Sequence, residues 1–323
     1  MSTCPAVPTP PRIEGWTRPA RWRFALKPAS WPKLLVPMLL GQALGVAEAR
    51  ERGIAVHAGS FAFGVALTCA YLIFIVCLND WADAPVDTLK RRMFPDGGSP
   101  KTIPDGVLPA TSLLRVGLGA GVVAAVVSCA AAWSTGRVSV AILGIGGLLF
   151  FVAYSLPPVR LNYRGGGELL EALGVGGVLP WVNGEMHASL MGTALLHSLS
   201  GFVLLSLASA IASGISDEQS DRAGKKRTVV TLLGNAEARR LVSVLPLASA
   251  SLWVAQAHLV RAATLAPAAI CIFGAISLFF GGRGAVTNAF DAHRRYKTLL
   301  HAIIWSAGVV LAVGVLVAPG LLP

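Results

Sequence analysis

One stripe of polar side chains closes a long apolar segment of the chain. Residues 61–76 are almost entirely apolar, and the sequence then reads CLNDWADAPVDTLKRR. Asn79, Asp83 and Asp87 are four residues apart, so a helix places them along one face. Asp80 reaches nearly the same face. Ionised side chains at the end of a hydrophobic helix are costly, which indicates that this stripe has a chemical task.

A second acidic stripe ends a later apolar segment in the same way. The sequence ASGISDEQSDRAGKKRTVVTLLG covers residues 212–234 and contains Asp217 and Asp221, again four residues apart. Basic residues follow both stripes: Lys90, Arg91 and Arg92 after the first, and Arg222, Lys225, Lys226 and Arg227 after the second. The repeated order of apolar helix, acidic stripe and basic loop predicts that the two stripes converge across a helical bundle.

Oxygen-rich stripes of this kind suit a magnesium diphosphate site. Carboxylates that face each other repel unless a cation joins them, and Mg²⁺ typically binds one or two carboxylates together with substrate phosphates. Neighbouring lysine and arginine side chains can hold the remaining phosphate charge. The position at the end of apolar helices indicates a substrate with a long apolar tail, which a membrane-borne prenyl diphosphate provides. The simpler alternative, two solvated helix ends, does not account for the matched spacing.

The composition places both stripes in a membrane protein. Of the 323 residues, 54% are hydrophobic and 13% are charged, and the mean hydropathy is +0.65. Soluble domains carry about 25% charged residues. The net charge of +11 does not indicate nucleic-acid binding, because the basic residues lie in short loops between apolar runs. There they serve topology and contacts with the anionic head groups of the lipid bilayer.

Apolar segments long enough to cross a bilayer recur along the chain. We identify nine: 31–49, 60–81, 111–132, 138–157, 168–184, 195–216, 241–259, 262–281 and 300–320. The predicted fold class is therefore all-α, a polytopic bundle of nine transmembrane helices. Residues 1–30 are rich in proline and arginine and form a predicted N-terminal tail, disordered and cytoplasmic at 1–20 and a short interfacial helix at 21–30. Residues 31–323 form the predicted transmembrane domain.

The distribution of basic residues predicts the orientation of the bundle. With nine spans, 23 of the 27 lysine and arginine residues fall on the side of the N-terminus and 4 on the other side. The cytoplasmic loops of membrane proteins carry the excess of basic residues. The N-terminus and both acidic stripes are therefore predicted to face the cytoplasm, and the protein is expected to be integral to a bacterial inner membrane.

At these residues the chain resembles the UbiA superfamily of intramembrane prenyltransferases. NDWADAPVD (79–87) is similar to the family's first motif, NDxxDxxxD, and DEQSD (217–221) is similar to its second, DxxxD followed by basic residues. SPKTIPDGVLP (99–109) and YSLPPVRLNYRGGGELL (154–170) resemble two further segments of the family. One departure is Ala84, which stands where members often carry a basic residue.

The resemblance implies Mg²⁺-dependent transfer of a prenyl group, with release of diphosphate. The implied metal ligands lie in the two acidic motifs: Asn79, Asp80, Asp83, Asp87, Asp217 and Asp221. The implied diphosphate-binding groups are basic: Lys90, Arg91, Arg92, Lys101, Arg160, Lys225 and Arg227. Asp83 and Asp217 are implied to be catalytic, because their metal stabilises the leaving diphosphate. The ring face of Tyr154 would stabilise the allylic cation that remains.

Simpler interpretations stay open for several of these residues. Tyr154 could be a tyrosine of the interfacial belt, and Arg160 and Arg164 could serve only the orientation of the chain. Otherwise these two arginines meet an acceptor carboxylate or the diphosphate. Glu168 and Glu171 are expected to be acids at a helix N-terminus.

The acceptor is indicated only by local similarity. DRAGKKRTVVTLLG (221–234) looks like a segment of dihydroxynaphthoate prenyltransferases, whereas NDWAD and YSLPP look as much like chlorophyll-synthase members. An aromatic small molecule that is a precursor of a quinone ring is the first choice. The alternatives are transfer to chlorophyllide, haem or a lipid, and a secondary transporter that uses intramembrane carboxylates for ion coupling.

Overall fold

The computed structural model describes residues 13, 15–95, 101–260, 262–282 and 290–317, and the regular elements of these residues are helices. We number the α-helices in chain order: α1 Arg18–Ala25, α2 Pro32–Glu51, α3 Ala58–Met93, α4 Ala110–Thr135, α5 Val138–Ser155, α6 Leu161–Arg164, α7 Gly167–Leu173, α8 Leu179–Glu185, α9 Ala194–His197, α10 Leu199–Gly214, α11 Glu218–Ala223, α12 Val229–Leu233, α13 Asn235–Ala255, α14 Leu265–Gly281 and α15 Phe290–Val317. A π-helical turn, Gly174–Val178, joins α7 to α8.

Five helical segments of the described chain are long and apolar enough to cross a membrane: Ala58–Met93, Ala110–Thr135, Val138–Ser155, Ala194–Ala223 and Phe290–Val317. The prediction of an all-α polytopic membrane protein is confirmed. The other four predicted spans coincide with α2, the continuous segment from α7 to α8, α13 and α14. The apolar helix α14 has only 17 residues, fewer than the roughly 20 that a spanning helix needs. The count of nine therefore stays a prediction.

Large apolar side chains on the outside of the bundle mark the surface that lipid would cover. Trp133 is 91% exposed, Phe273 is 72% exposed and Val122 is 64% exposed. An apolar surface of this extent is costly in water and suits the hydrocarbon of a bilayer.

Small residues bring α2 and α8 into close contact inside the bundle. A Cβ atom at Gly41 would overlap the Pro180 carbonyl group, and one at Gly45 would overlap the backbone of Gly184. Glycine permits this approach of two backbones, as is usual where helices pack in membranes. The abundance of glycine in the predicted spans thus has a packing role at this crossing.

The N-terminal segment packs on the charged end of α3. Helix α1 begins at Arg18, so it starts three residues before the predicted interfacial helix and includes the end of the predicted disordered stretch. Trp22 and Phe24 pack on a small core that contains Leu108 and Leu113. Residues 1–12 and 14 lie outside the described residues, and the domain boundary at residue 30 stays a prediction.

Candidate active site

The two acidic motifs meet at one end of the bundle, where α11 packs against α3. Lys226, after α11, donates from Nζ to Asp83 Oδ2 of α3 at 2.9 Å. In the second pair the lysine comes from the first segment and the aspartate from the second: Lys90 of α3 pairs with Asp217. These two crosswise ion pairs join segments more than 120 residues apart in the sequence. The predicted convergence of the two stripes is therefore present in the structure.

Four aspartates of the cluster are paired with lysines from other parts of the chain. The pairs are Asp80 with Lys27, Asp83 with Lys226, Asp87 with Lys101, and Asp217 with Lys90. Asp221 Oδ1 lies 3.9 Å from Lys226 Nζ. Each lysine charge offsets the repulsion between neighbouring carboxylates. In the described part of the chain, no three acidic, histidine or cysteine side chains are gathered closely enough to hold a metal ion.

The loop after α3 delivers Lys101 to the first motif. Lys101 Nζ lies 2.6 Å from Asp87 Oδ1, and the hydroxyl of the neighbouring Thr102 donates to Asp80 Oδ2 at 2.6 Å. Burial alone would lower the pKa of Lys101. The negative charges of Asp217 and Asp87 outweigh burial and raise that pKa above its ordinary value. Lys101 therefore stays a cation and can act as a fixed positive charge in the site.

Arg91 holds the same loop in place. Its guanidinium group donates to both carboxylate oxygens of Asp105, at 2.8 and 2.6 Å, and to the carbonyl oxygen of Pro95 at 2.9 Å. Asp105 also accepts the backbone N–H of Lys101 at 2.6 Å. A bidentate arginine–carboxylate pair is strong and directional. The structure thus gives Arg91 a positioning contact within the loop, and its predicted contact with diphosphate stays untested.

Tyr163 connects the first motif to the loop after α5. Its hydroxyl donates to Asp83 Oδ1 at 3.0 Å, and the guanidinium carbon of Arg160 lies 3.5 Å from the ring centroid. Lys226 Nζ lies 4.8 Å from the same centroid. Burial, followed by the charge of Asp83, raises the pKa of Tyr163, so the hydroxyl remains a donor. Arg160 also donates to the carbonyl oxygen of Ala82 at 3.0 Å.

Tyr154 lies on α5 beside this cluster. Its ring stacks on Phe151 with the centroids 6.0 Å apart, and it lies within electrostatic range of Glu171 and Asp83. The side chain is half-buried. This placement is compatible with both interpretations of the residue, a ring that faces a cation in the site and an interfacial tyrosine.

Other predicted site residues lie at the edge of the cluster. Asn79 is half-buried, one residue before Asp80. The remaining predicted cations are exposed: Arg92, Lys225 and Arg227. Arg164 is exposed as well. The roles of these residues stay predictions.

The two glutamates of α7 make contacts that spacing did not reveal. Glu168 accepts the backbone N–H of Val229 at 2.7 Å, at the start of α12, and Glu171 pairs with Lys33 of α2. Glu168 lies in the first turn of α7, as predicted, whereas Glu171 does not, and Glu168 also accepts from the N-terminus of a different helix. Through these two contacts α7 is joined to α12 and to α2.

Sequence reasoning did not assign Lys27, Tyr163 or Lys226 to the site. Lys226 stands in the basic run after the second motif, next to the predicted Lys225. The backbone of Lys225 is left-handed, with φ = 57°, and the chain leaves Lys225 exposed and Lys226 buried. The left-handed turn at Lys225 decides which of the two lysine side chains faces the cluster, and the residue types alone do not predict that turn.

The donor atoms of the cluster suit a hard divalent cation. Asp83, Asp87, Asp217 and Asp221 offer only carboxylate oxygens, which Mg²⁺ prefers over nitrogen or sulfur. In this structure, lysine partners offset the repulsion between Asp83, Asp87 and Asp217. By the type of their donor atoms these residues suit Mg²⁺, but in the described part of the chain no three of them lie close enough together to hold the ion, and the assignment of ligands from both motifs stays a prediction.

The sequence matches the model of the UbiA prenyltransferase family over residues 34–304. The protein belongs to this family and is an integral membrane prenyltransferase. No curated protein sequence shows a significant match. The family membership confirms the resemblance seen in the two motifs and leaves the transporter alternative without support.

Solved structures show the same fold at low sequence identity. A UbiA homologue from Archaeoglobus fulgidus bound to GPP and Mg²⁺ is 15% identical, with a TM-score of 0.64 over 91% of this chain and 99% of that chain. The apo structure of a UbiA homologue from Aeropyrum pernix K1 is 13% identical, with a TM-score of 0.63 over 88% and 98% of the two chains. A structure of digeranylgeranylglyceryl phosphate synthase is 11% identical, with a TM-score of 0.58 over 92% and 99%.

Proposed function

We propose that the protein transfers a prenyl group from a prenyl diphosphate to an aromatic quinone-precursor acceptor, with Mg²⁺ as the cofactor. The observation that carries this proposal is the crosswise pairing of Asp83 with Lys226 and of Lys90 with Asp217. It unites two acidic motifs and several lysines in one cluster at the end of apolar helices. The Archaeoglobus homologue bound to GPP and Mg²⁺ supports the same donor and metal.

The charges of the cluster explain why a metal would be required. Its five aspartates (Asp80, Asp83, Asp87, Asp217 and Asp221) are equalled in number by four lysines and Arg160. A cluster with so little net charge gives a diphosphate no strong attraction. We therefore infer that donor binding depends on Mg²⁺, held by carboxylates from both motifs with Asn79 and Asp80 beside them.

The basic residues divide into an inner and an outer group. Lys90, Lys101 and Lys226 lie within the cluster, where their ammonium groups can donate to diphosphate oxygens. Arg92, Lys225 and Arg227 lie on the exposed side and would meet the diphosphate at the entrance. When bound, Mg²⁺ supplies Lewis-acid stabilisation of the negative charge on the leaving diphosphate.

The aromatic and apolar residues around the cluster suit the rest of the donor. The ring of Tyr154 would stabilise the positive charge on the allylic carbon through its face. The apolar part of α3 that precedes the first motif would accommodate the prenyl chain. Exclusion of water by these residues protects the cation from hydrolysis before the acceptor carbon attacks.

The nature of the acceptor rests on the segment that follows the second motif. DRAGKKRTVVTLLG resembles dihydroxynaphthoate prenyltransferases, which favours a hydroxylated aromatic ring and a role in quinone biosynthesis. We propose further that the site faces the cytoplasm of a bacterial inner membrane, as the distribution of basic residues indicates.

A direct assay tests the proposed reaction. Purified protein is incubated with Mg²⁺, with prenyl diphosphates of several lengths, and with 1,4-dihydroxy-2-naphthoate or 4-hydroxybenzoate, and the products are identified by mass. We expect a prenylated ring and free diphosphate, both lost when Mg²⁺ is chelated. Prenylation of a lipid or porphyrin acceptor, and of neither aromatic acid, would contradict the proposed acceptor.

A further inference from the structure

Both carboxylate oxygens of Asp80 are engaged by residues outside the two acidic motifs. Oδ1 pairs with Lys27 of the N-terminal segment, and Oδ2 accepts the hydroxyl of Thr102 at 2.6 Å. Asp80 and Thr102 are buried, with 5% and 2% of their surfaces exposed. The lysine partners of Asp83 and Asp217 come instead from the opposite acidic segment. Asp80 therefore links α3 to the N-terminal segment and to the loop that follows α3.

An apolar core joins the same segments of the chain beside Asp80. Its buried members come from α1, from α3, from the loop after α3 and from α4: Ala25, Cys77, Val107, Leu108 and Leu113. Cys77 stands three residues before Asp80 on α3, and residues at this spacing lie on one side of a helix. The core and the contacts of Asp80 therefore fasten the N-terminal segment and the loop to the same surface of α3.

The backbone of Lys27 indicates that its side chain has a task. Lys27 lies between the end of α1 and the 3₁₀ turn Pro28–Ser30, and its backbone is left-handed, with φ = 50°. Glycine adopts this conformation at a lower cost than a residue that carries a Cβ atom. A costly backbone conformation is maintained where the surrounding contacts require it. At Lys27 the contact is the ion pair with Asp80.

Thr102 carries the effect of Asp80 to Lys101. The carbonyl oxygen of Thr102 accepts the backbone N–H of Val107 at 3.0 Å and that of Leu108 at 3.3 Å, so Thr102 also organises the loop. Lys101 is the preceding residue, and its Nζ lies 2.6 Å from Asp87 Oδ1. Because neighbouring Cα atoms are about 3.8 Å apart, a fixed Thr102 leaves the backbone of Lys101 little freedom.

We propose that Asp80 is a positioning residue and not a metal ligand. It fastens the N-terminal segment through Lys27 and residues 101–109 through Thr102, and it thereby holds Lys101 in place for the diphosphate. The inference rests on the proposed function in one respect, the contact of Lys101 with the donor. Metal binding by Asp80 is the alternative that the motif implies. Both oxygens of Asp80 already accept from other groups, so a metal ion would have to displace Lys27 or Thr102.

Hydrogen exchange of the full-length protein in detergent, without metal or donor, measures the fastening itself. Lys27→Met removes the ammonium group, and Asp80→Asn removes the negative charge at nearly constant shape. We expect the amides of residues 101–108 to exchange at least about threefold faster in both variants, because the loop opens more often without its anchor. Lys27→Arg restores the ion pair and should return exchange toward the wild type. Arg23→Met removes an exposed cation of α1 and should leave exchange unchanged.

Isothermal titration with geranyl thiolodiphosphate and saturating Mg²⁺ measures the consequence for the donor. We expect binding to weaken roughly tenfold in Lys27→Met and in Asp80→Asn, the loss that follows when one charged hydrogen bond is misplaced. The double variant should bind no more weakly than either single variant, because both changes break the same pair. Thr102→Val breaks the second contact of Asp80 and should shift exchange and binding in the same direction, which provides an independent variant if Asp80→Asn does not fold.

The other outcomes overturn the inference in distinguishable ways. Loss of donor binding in Asp80→Asn alone, with exchange unchanged, would make Asp80 a metal ligand. Weaker binding in Lys27→Met with unchanged exchange would mean that Lys27 contacts the diphosphate directly. Faster exchange with unchanged donor affinity would remove the link to Lys101. Failure of the wild type to bind the donor would reject the proposed function, whereas exchange of residues 101–108 would still decide whether Asp80 fastens the loop.

Discussion

Lys226 is the residue that connects the two acidic motifs most directly. It is buried, donates to Asp83 at 2.9 Å, lies 3.9 Å from Asp221 and stands 4.8 Å from the ring centroid of Tyr163. A buried ammonium group in such surroundings is strongly coupled to its partners. Its exposed neighbour Lys225 has the same charge and provides a natural comparison.

We predict that Lys226→Ala weakens binding of the prenyl diphosphate more than Lys225→Ala does. Removal of the buried cation should cost about 1.5–3 kcal/mol, or roughly 10- to 150-fold in Kd, the range of a charge-assisted hydrogen bond. The Michaelis constants for donor and acceptor, measured in both variants, check this expectation. A larger effect of Lys225→Ala would show that the exposed side of the basic loop binds the diphosphate.

His187 gives a second prediction, on stability. Its Nε2 contacts Gln42 Oε1, and burial, with a smaller effect of Arg137, lowers its pKa from 6.5 to about 4. Between these values the unfolded chain binds a proton that the folded chain does not, so stability should fall as the pH decreases from 6.5 toward 4.

Thermal unfolding as a function of pH measures this effect. In His187→Gln the fall in Tm over that range should become shallower, because the titrating group is gone. His197→Gln, at an exposed position, should retain the slope of the wild type. An unchanged slope in His187→Gln would show that other groups cause the acid sensitivity.

The aspartates of the site could be predicted from the sequence, whereas most of their partners could not. Asp83 and Asp87 follow from helical spacing within one segment. Lys27 and Lys226 reach the same cluster from segments 53 and 143 residues away in sequence from the aspartates they pair with. Contacts at such separation depend on how the helices pack, and a local pattern of residue types does not contain that information.

The crossing of α2 and α8 shows how an element's packing depends on single residues. Gly41 and Gly45 lie against the backbone of α8, and Gln42 between them donates to Asn183 Oδ1 at 2.9 Å. The crossing also positions Lys33, because α2 carries that residue near its start. Close packing here therefore supports both the fold and the charged end of the bundle.

We predict that Gly41→Leu destabilises the protein, whereas Gly59→Leu does not. A side chain at Gly41 would overlap the Pro180 carbonyl group, and overpacking of this kind costs roughly 1–3 kcal/mol or more. Gly59 has open space around its Cβ position. The fraction of monodisperse protein that remains after heating in detergent measures the difference, and equal curves for the two variants would contradict the observed helix crossing.

Long apolar helices were more predictable than short or interrupted ones. The spans within α3, α4, α5 and α15 have the length and hydropathy that a sequence scan detects. The predicted span at 168–184 is instead built from α7, a π turn and α8, which hydropathy alone does not specify. Within the π turn, Gly176 lies so close to α10 that a Cβ atom there would be 2.8 Å from Val203 Cα, and this contact depends on the three-dimensional packing of the segment.

The orientation of the whole bundle in the membrane is predicted from the distribution of its basic residues, and reporter fusions test it. With nine spans, 23 of the 27 basic residues lie on the side of the N-terminus. We predict that a reporter active only in the cytoplasm gives a signal when fused after residue 234 and none when fused after residue 323. A strong signal at residue 323 would contradict the nine-span topology.

The union of the two motifs into one metal-dependent donor site is tested most directly by binding of a non-reacting donor. Isothermal titration with geranyl thiolodiphosphate is carried out on wild type, Asp83→Asn, Asp217→Asn and the exposed-site control Asp291→Asn, each with Mg²⁺ and with a chelator. We predict Mg²⁺-dependent binding in wild type and in Asp291→Asn, and its loss in both motif variants. Binding that survives chelation, or that is unchanged in either motif variant, would contradict a single site built from both motifs.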